Sequence, residues 1–167
     1  IEDPVLGEIP RRADGSVLGT LREWGAVDLA LAHLPPRDVE VGITALRTAA
    51  DYYLARGVTW AQDAWVNPED VDVYVEAARR NALGIRFNLA FYADPRHFDA
   101  QIAGYDAARR RVTELASPLL TANTVKFFAD GVVENETGAL LEPYGSGLHR
   151  HGMQVWGSGD ELARAVA

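Results

Sequence analysis

The sequence predicts an α/β fold in which parallel β-strands alternate with α-helices. Three short β runs, at 58–63, 85–92 and 125–129, are separated by segments with helical spacing. A glycine, Gly57 and then Gly84, ends the helical segment before each of the first two runs. Strands separated by helices pair in parallel through right-handed crossovers, so we expect one parallel sheet covered by helices.

The N-terminal part carries two local signals. Asp14-Gly15, inside the stretch 8–21, supplies the positive φ angles of a tight turn and so predicts a β-hairpin. A short helix is expected from Arg22 to about His33. We therefore divide the chain into residues 1–36, a hairpin insertion with a linking helix, and residues 37–167, the main series of βα units.

Four helices are expected after residue 36, if the truncated last one is included. Apolar residues recur at steps of three and four over 39–55, which predicts a helix with one buried stripe. Asn67-Pro68 supplies an N-cap and a first-turn proline for the next helix, and Asp94-Pro95 repeats this pair for the third. The capping box Ser158 to Glu161 starts the last helix, which the chain end truncates.

The second β run alternates cleanly between two faces. One face carries Ile85, Phe87, Leu89 and Phe91, and the other carries Arg86, Asn88, Ala90 and Tyr92. After the third run, residues 131–157 show no periodicity and many polar residues and glycines. A loop of this length in a compact domain is usually functional or disordered. Its residues Glu134, Asn135 and Glu136 could reach a substrate, although a solvated loop is the simpler interpretation.

Composition restricts the class of protein. The chain has 167 residues, enough for one domain with a sizeable core, and a formal charge of -8 with a pI near 4.9. An acidic surface repels phosphate backbones, so we expect no nucleic acid partner. No apolar run is long enough to span a bilayer, and the absence of cysteine excludes disulfides and thiolate metal sites.

The N-terminus lacks the basic and apolar regions of a signal peptide, and both ends look cut from something longer. A cytoplasmic location is the default expectation.

Lys126 is the residue that most needs an explanation, because it interrupts the apolar run of Val125, Phe127 and Phe128. Burying an ammonium without a partner is costly. One interpretation is that a desolvated, neutral Lys126 reacts with carbon dioxide to give a carbamate that bridges two divalent metals. The other is that its ammonium reaches the strand end or pairs with an acid such as Asp130.

Four stretches carry a family resemblance, and they are spread over most of the chain, from Glu8 to Tyr144. They are Glu8 to Glu23, Gly57 to Asp63, Val125 to Gly131 and Glu142 to Tyr144. In this order they resemble the amidohydrolase superfamily, and most closely the subgroup that includes N-substituted formamide deformylases. The resemblance implies a (β/α)₈ TIM barrel with a divalent metal site, one or two ions and most commonly zinc, at the carboxyl ends of the strands.

Within that pattern, Lys126 matches the fourth-strand lysine, which is carboxylated in many members, and 57–63 matches the second strand. The pattern also needs a His-x-His pair on the first strand, histidines on the fifth and sixth, and an aspartate on the eighth. These would fall before Ile1 and after Ala167. We therefore expect a fragment holding barrel strands two to four, without catalytic residues of its own and inactive alone.

His149-Arg150-His151 imitates a metal-binding pair but follows the lysine strand and has no β run around it, so we interpret it as part of the loop. The candidates for lining a substrate are residues near strand exits: Gln62, Asp63, Trp65, Tyr92 and Asp130. Structural roles compete for three of them, since Asp63 could accept backbone hydrogen bonds, Trp65 could be packing and Asp130 could order a turn.

The sequence thus predicts the central part of a metal-dependent hydrolase of small-molecule amides or other non-peptide C–N bonds. The open sheet edges of such a piece would favour self-association or retention of the rest of the barrel. The alternative is a non-catalytic α/β module that binds a partner or small molecule through the 131–157 loop.

Overall fold

A computed structural model describes residues 2–36, 38–147 and 151–167. The chain forms two compact units: one combines Ile1–Pro36 with Phe128–Ala167, and the other is Arg37–Phe127. The division of the chain predicted from sequence, 1–36 and 37–167, stays a prediction. The two units are described separately below.

The described residues form five helices and three strands. The helices are α1 (Glu23–Leu31), α2 (Val39–Leu54), α3 (Val71–Arg79), α4 (Phe98–Glu114) and α5 (Gly159–Val166). The strands are β1 (Trp60–Val66), β2 (Arg86–Ala93) and β3 (Leu120–Phe127). Short 3-10 turns occupy Pro68–Asp70 and Val133–Asn135. None of the described helices has the length and apolarity needed to cross a membrane.

The central unit, Arg37–Phe127, contains the predicted parallel sheet. Its strand order is β1-β2-β3 and both pairings are parallel. The sequence of helices and strands is the expected one, but β1 and β3 are displaced from their predicted bounds. In β3 the polar stretch Leu120 to Thr124 joins the strand, since pairing with β2 overrides its weak apolar pattern.

The core of this unit lies between one face of the sheet and helices α2, α3 and α4. Phe87, Leu89 and Phe91 belong to it, as the alternation in β2 predicted. The opposite face of β2 is also buried, because Asn88, Ala90 and Tyr92 are almost inaccessible. A central strand buried on both faces is typical of parallel sheets.

The two predicted Asx-Pro helix starts behave differently. Pro68 opens a 3-10 turn that leads into α3, and Asp70 Oδ2 accepts from the backbone N–H of Asn67 over 3.2 Å. The prediction for Asp94 was wrong: α4 begins at Phe98, with no side chain capping it. The Asp94 carboxylate binds the backbone N–H and the guanidinium of Arg96 instead, since an adjacent cation outcompetes the helix terminus.

The terminal unit contains antiparallel contacts, but the predicted N-terminal hairpin is not confirmed. In the described residues the two arms are joined by isolated bridges, Glu8 with Arg22 and Arg11 with Val17, and by a few backbone hydrogen bonds, and neither arm forms a named strand. Gly15 does take the expected positive φ of 84° at the turn. At the other end, Ser158 caps α5 by accepting from the backbone N–H of Glu161, as predicted.

Candidate functional site

Lys126 lies near the carboxyl end of β3, where its register partner on β2 is Tyr92. Flanking Val125 and Phe127 favour the extended conformation that places it there. The side chain is half-buried and engaged in contacts within the structure. Lys126 is also the only lysine in the chain, where every other permanently cationic side chain is an arginine.

Tyr92 and Trp65 form an aromatic pair beside this position. Their ring centroids are 4.1 Å apart and the planes are tilted by 33°. Tyr92 is 5% exposed, whereas Trp65 is half-buried. The structure therefore brings three of the predicted site residues, Lys126, Tyr92 and Trp65, to one edge of the sheet.

Asp63 belongs to the helix side of β1. Its Oδ1 accepts from the backbone N–H of Trp65 over 3.1 Å, and its Oδ2 accepts a hydrogen bond from the Tyr74 hydroxyl of α3. The β1–β2 register is irregular between Asp63 and Val66. The carboxylate is therefore engaged by protein groups, which matches the structural alternative considered for it.

Gln62 points to the opposite face from Asp63, as successive strand residues do. Its Oε1 accepts from Asn88 Nδ2 over 3.2 Å, and the same amide nitrogen donates to Thr124 Oγ1 over 2.9 Å. Thr121 Oγ1 donates to Asn88 Oδ1 over 2.8 Å. These four residues form a polar chain across all three strands, and sequence reasoning missed the bridging role of Asn88.

Tyr105 is a second residue whose role the sequence did not reveal, because it matched the apolar stripe of α4. Its hydroxyl is hydrogen-bonded to the backbone carbonyl of Tyr92 and to Gln101 Oε1, both over 2.8 Å. Burial, with smaller contributions from nearby Asp94 and Tyr92, raises the pKa of the Tyr105 phenol well above its ordinary value. Tyr105 is therefore a neutral anchor for the end of β2.

Asp130 and the long loop belong to the terminal unit. Asp130 Oδ2 accepts from the backbone N–H of Ala139 over 2.7 Å, which agrees with a turn-ordering role. His151 is exposed, with Nδ1 at 3.4 Å from the Leu140 carbonyl oxygen. His149 and Arg150 lie outside the described residues, so the His-x-His interpretation stays a prediction.

Other acids of the loop have partners inside it. The Ser146 hydroxyl donates to the Glu136 carboxylate. Burial and the neighbouring acids Glu136, Asp130 and Glu134 raise the pKa of Tyr144, whose hydroxyl donates to the Gly138 carbonyl over 2.7 Å. This part of the loop therefore has an internal hydrogen-bond network.

Within residues 2–36, 38–147 and 151–167, no group of three His, Cys, Asp or Glu side chains could hold a metal ion. An open groove of about 430 Å³ runs beside Trp65, between α2 and α3. Asp63, Val73 and Tyr74 line it together with the α2 residues Val41, Gly42, Ala45, Leu46 and Ala49.

The model of the amidohydrolase family matches residues 2–167. The chain belongs to the amidohydrolase family. This result confirms the superfamily resemblance inferred from the sequence motifs.

Two known proteins resemble this amidohydrolase chain. The Bacillus subtilis (strain 168) protein YtcJ, whose name assigns it to the amidohydrolases, is 27% identical over 156 residues, covering 92% of this chain and 28% of YtcJ. An uncharacterized metal-dependent hydrolase from Pyrococcus furiosus has a crystal structure that matches with a TM-score of 0.60 and 18% identity, covering 87% of this chain and 30% of that one. The chain thus spans less than a third of either relative.

Proposed function

We propose that this chain is the central part of a metal-dependent hydrolase that cleaves amide or other non-peptide C–N bonds. Its three parallel strands would be strands two to four of a (β/α)₈ barrel, which needs roughly 250 residues in all. The family match and the likeness to part of a metal-dependent hydrolase support this proposal. We extend this proposal to N-substituted formamides as substrates, because the subgroup resemblance suggested them.

The observation that carries the proposal is the place of Lys126. Barrel enzymes of this kind perform their chemistry at the carboxyl ends of the strands, and Lys126 lies at that end of β3. As a carboxylated side chain it would contribute one ligand to a divalent metal, which we propose to be zinc. When bound, such a metal lowers the pKa of a water molecule and polarises the carbonyl group of the substrate.

The residues of this chain would position the substrate and Lys126 and would not carry out the catalytic step themselves. Tyr105 holds the carbonyl of Tyr92 and so fixes the strand end next to Lys126. Trp65, whose ring packs against Tyr92, gives this edge an apolar wall that would exclude water from the substrate. The remaining metal ligands and the proton-transferring aspartate would come from parts of the protein beyond this chain, so the chain alone is expected to be inactive.

The test is metal analysis and mass spectrometry of the full-length protein. We expect the peptide containing Lys126 to carry one added carbon dioxide under native conditions, and Lys126→Ala to lose metal and amide hydrolysis together. Short carboxylic acids should restore part of both in Lys126→Ala, because they can replace the missing carboxylate. Arg109→Ala, an exposed change on α4, is the matched control.

An unmodified Lys126, with metal content that does not change in Lys126→Ala, would remove the role assigned to this residue. Full activity of Lys126→Ala would have the same consequence. Because the chain contains no other lysine, the modification can be assigned within it without ambiguity.

A further inference from the structure

We infer that Asp63 is a positioning residue that holds the Trp65 ring against Tyr92, and that the accessible part of this ring selects substrates bearing a flat apolar group. The second half of this inference rests on the proposed hydrolase function. The first half concerns only the protein and has its own readout.

Asp63 has two contacts that together fix the chain around Trp65. One carboxylate oxygen accepts from the Trp65 backbone N–H over 3.1 Å, which bends the chain directly before the ring. The other oxygen accepts the Tyr74 hydroxyl, which ties the same carboxylate to α3. Tyr74 is 7% exposed and lies in the hydrophobic core, so the anchor at the far end is rigid.

The irregularity in β1 explains how the contacts of Asp63 can set the direction of the Trp65 side chain. Asp63 pairs with Leu89 and Val66 pairs with Phe91, so three steps on β1 correspond to two steps on β2. An extra residue of this kind bends a strand and turns a side chain in a new direction. Trp65 lies inside the irregular stretch, and its ring meets Tyr92 at a centroid distance of 4.1 Å.

This arrangement places an indole next to the proposed reaction edge. Tyr92 is the register partner of Lys126, and the Trp65 ring packs against the Tyr92 ring. Trp65 is only half-buried, and it also lines the groove of about 430 Å³. Aromatic rings attract flat apolar groups by offset stacking, so the accessible indole surface would favour aryl over alkyl amides.

The first experiment compares two probe substrates, acetanilide and N-butylacetamide, in the full-length protein. We expect Trp65→Ala to lower the aryl-to-alkyl ratio of kcat/KM by about three- to tenfold, mainly through KM for acetanilide, since a stacking contact of ordinary strength is lost. Asp63→Ala should lower the ratio in the same direction. Asp106→Ala, an exposed aspartate on α4, should leave it unchanged.

The second experiment reads the ring directly by fluorine NMR of protein labelled with 5-fluorotryptophan. Trp65→Phe assigns the Trp65 resonance. We expect this resonance to shift in Asp63→Ala and, by a smaller amount, in Tyr74→Phe, and to stay in place in Asp106→Ala. If Asp63→Ala does not fold, Asp63→Asn and Tyr74→Phe provide the same comparison.

A Trp65 resonance that stays in place in these variants overturns the positioning role of Asp63. An unchanged substrate ratio in Trp65→Ala overturns the selection of flat groups. If the wild-type protein hydrolyses neither amide, the selection of aryl over alkyl amides is overturned. The metal content and the carboxylation of Lys126 still decide the proposed function, and the fluorine resonance still decides the role of Asp63.

Discussion

The hydroxyl of Tyr105 on α4 donates a hydrogen bond to the backbone carbonyl of Tyr92 on β2 over 2.8 Å. The two rings pack against different neighbours: Tyr105 stacks on Phe91 at 5.4 Å, and Tyr92 packs against Trp65 with the ring planes tilted by 33°. The hydrogen bond therefore joins α4 to the end of β2, where Tyr92 pairs with Lys126.

Tyr105→Phe should lower the free energy of unfolding by about 1–2 kcal/mol, because the ring is kept while the hydroxyl that bonds the Tyr92 carbonyl and Gln101 Oε1 is lost. Urea unfolding of the full-length protein measures this change. Tyr52→Phe, at a tyrosine that is 57% exposed, is the control and should change stability little. Equal effects of the two substitutions would contradict an anchoring role for Tyr105.

The same phenol should make the protein sensitive to alkali. Its pKa is raised in the folded state by burial, so the unfolded chain releases this proton first as pH rises. Stability from Tyr105 should be complete below about pH 10, the ordinary phenol value, and should fall above it. Unfolding titrations across this range should show a shallower alkaline loss in Tyr105→Phe than in the wild type.

Asp94 should contribute stability that is lost in acid. Burial opposes its ionisation, but hydrogen bonds from the guanidinium and the backbone N–H of Arg96 outweigh burial and lower the pKa of Asp94. The stabilisation is therefore present above about pH 4 and declines as pH falls below the ordinary aspartate value. Asp94→Asn should cost about 1–3 kcal/mol at neutral pH and should flatten the acid limb of the stability curve.

Chemical unfolding between neutral and acidic pH checks the Asp94 prediction. Asp99→Asn, at an exposed aspartate near the start of α4, is the matched control and should keep the wild-type pH dependence. An acid limb that is identical in Asp94→Asn and the wild type would contradict the assigned ion pair.

Gly42→Ala should destabilise the contact between α2 and α3. A Cβ at this position would come within 2.7 Å of Val73 Cγ1, and a β-branched side chain has little freedom to move away. We expect a net loss of about 1–3 kcal/mol, although alanine favours a helix by about 1 kcal/mol over glycine. Thermal unfolding of Gly42→Ala, Val73→Ala and the double variant should show partial rescue in the double variant.

Gly145→Ala is the control for the same chemical change, since a Cβ there would meet nothing within 4 Å. We expect it to alter stability by no more than a few tenths of a kcal/mol. A loss in Gly145→Ala as large as that in Gly42→Ala would mean that helix contact is not the cause.

Thr137→Val should loosen the loop of the terminal unit. The Thr137 hydroxyl, which is buried, accepts from the backbone N–H of Val132 over 3.0 Å and donates to the Glu23 carboxylate. Valine keeps the shape but leaves the half-buried Glu23 without this donor, at a cost of about 1–3 kcal/mol. Hydrogen exchange should become faster between residues 130 and 139, and Thr113→Val on α4 should leave it unchanged.

The sequence by itself determined the order of helices and strands, the parallel sheet and the family. These follow from signals that lie within a few neighbouring residues, such as the alternation of β2, the glycines before β1 and β2 and the cap at Ser158. The position of the only lysine near a strand end was also readable, because a cation inside an apolar run is unusual.

Only the tertiary structure decided which side chains meet. The Asx-Pro pattern predicted the same role for Asp94 as for Asn67, but Asp94 binds Arg96 because that cation lies next to it in the folded turn. Trp65 meets Tyr92, and Asn88 bridges Gln62 and Thr124, through strand register and a local irregularity. Register depends on how whole strands pair across distant parts of the chain, and local residue patterns do not contain that information.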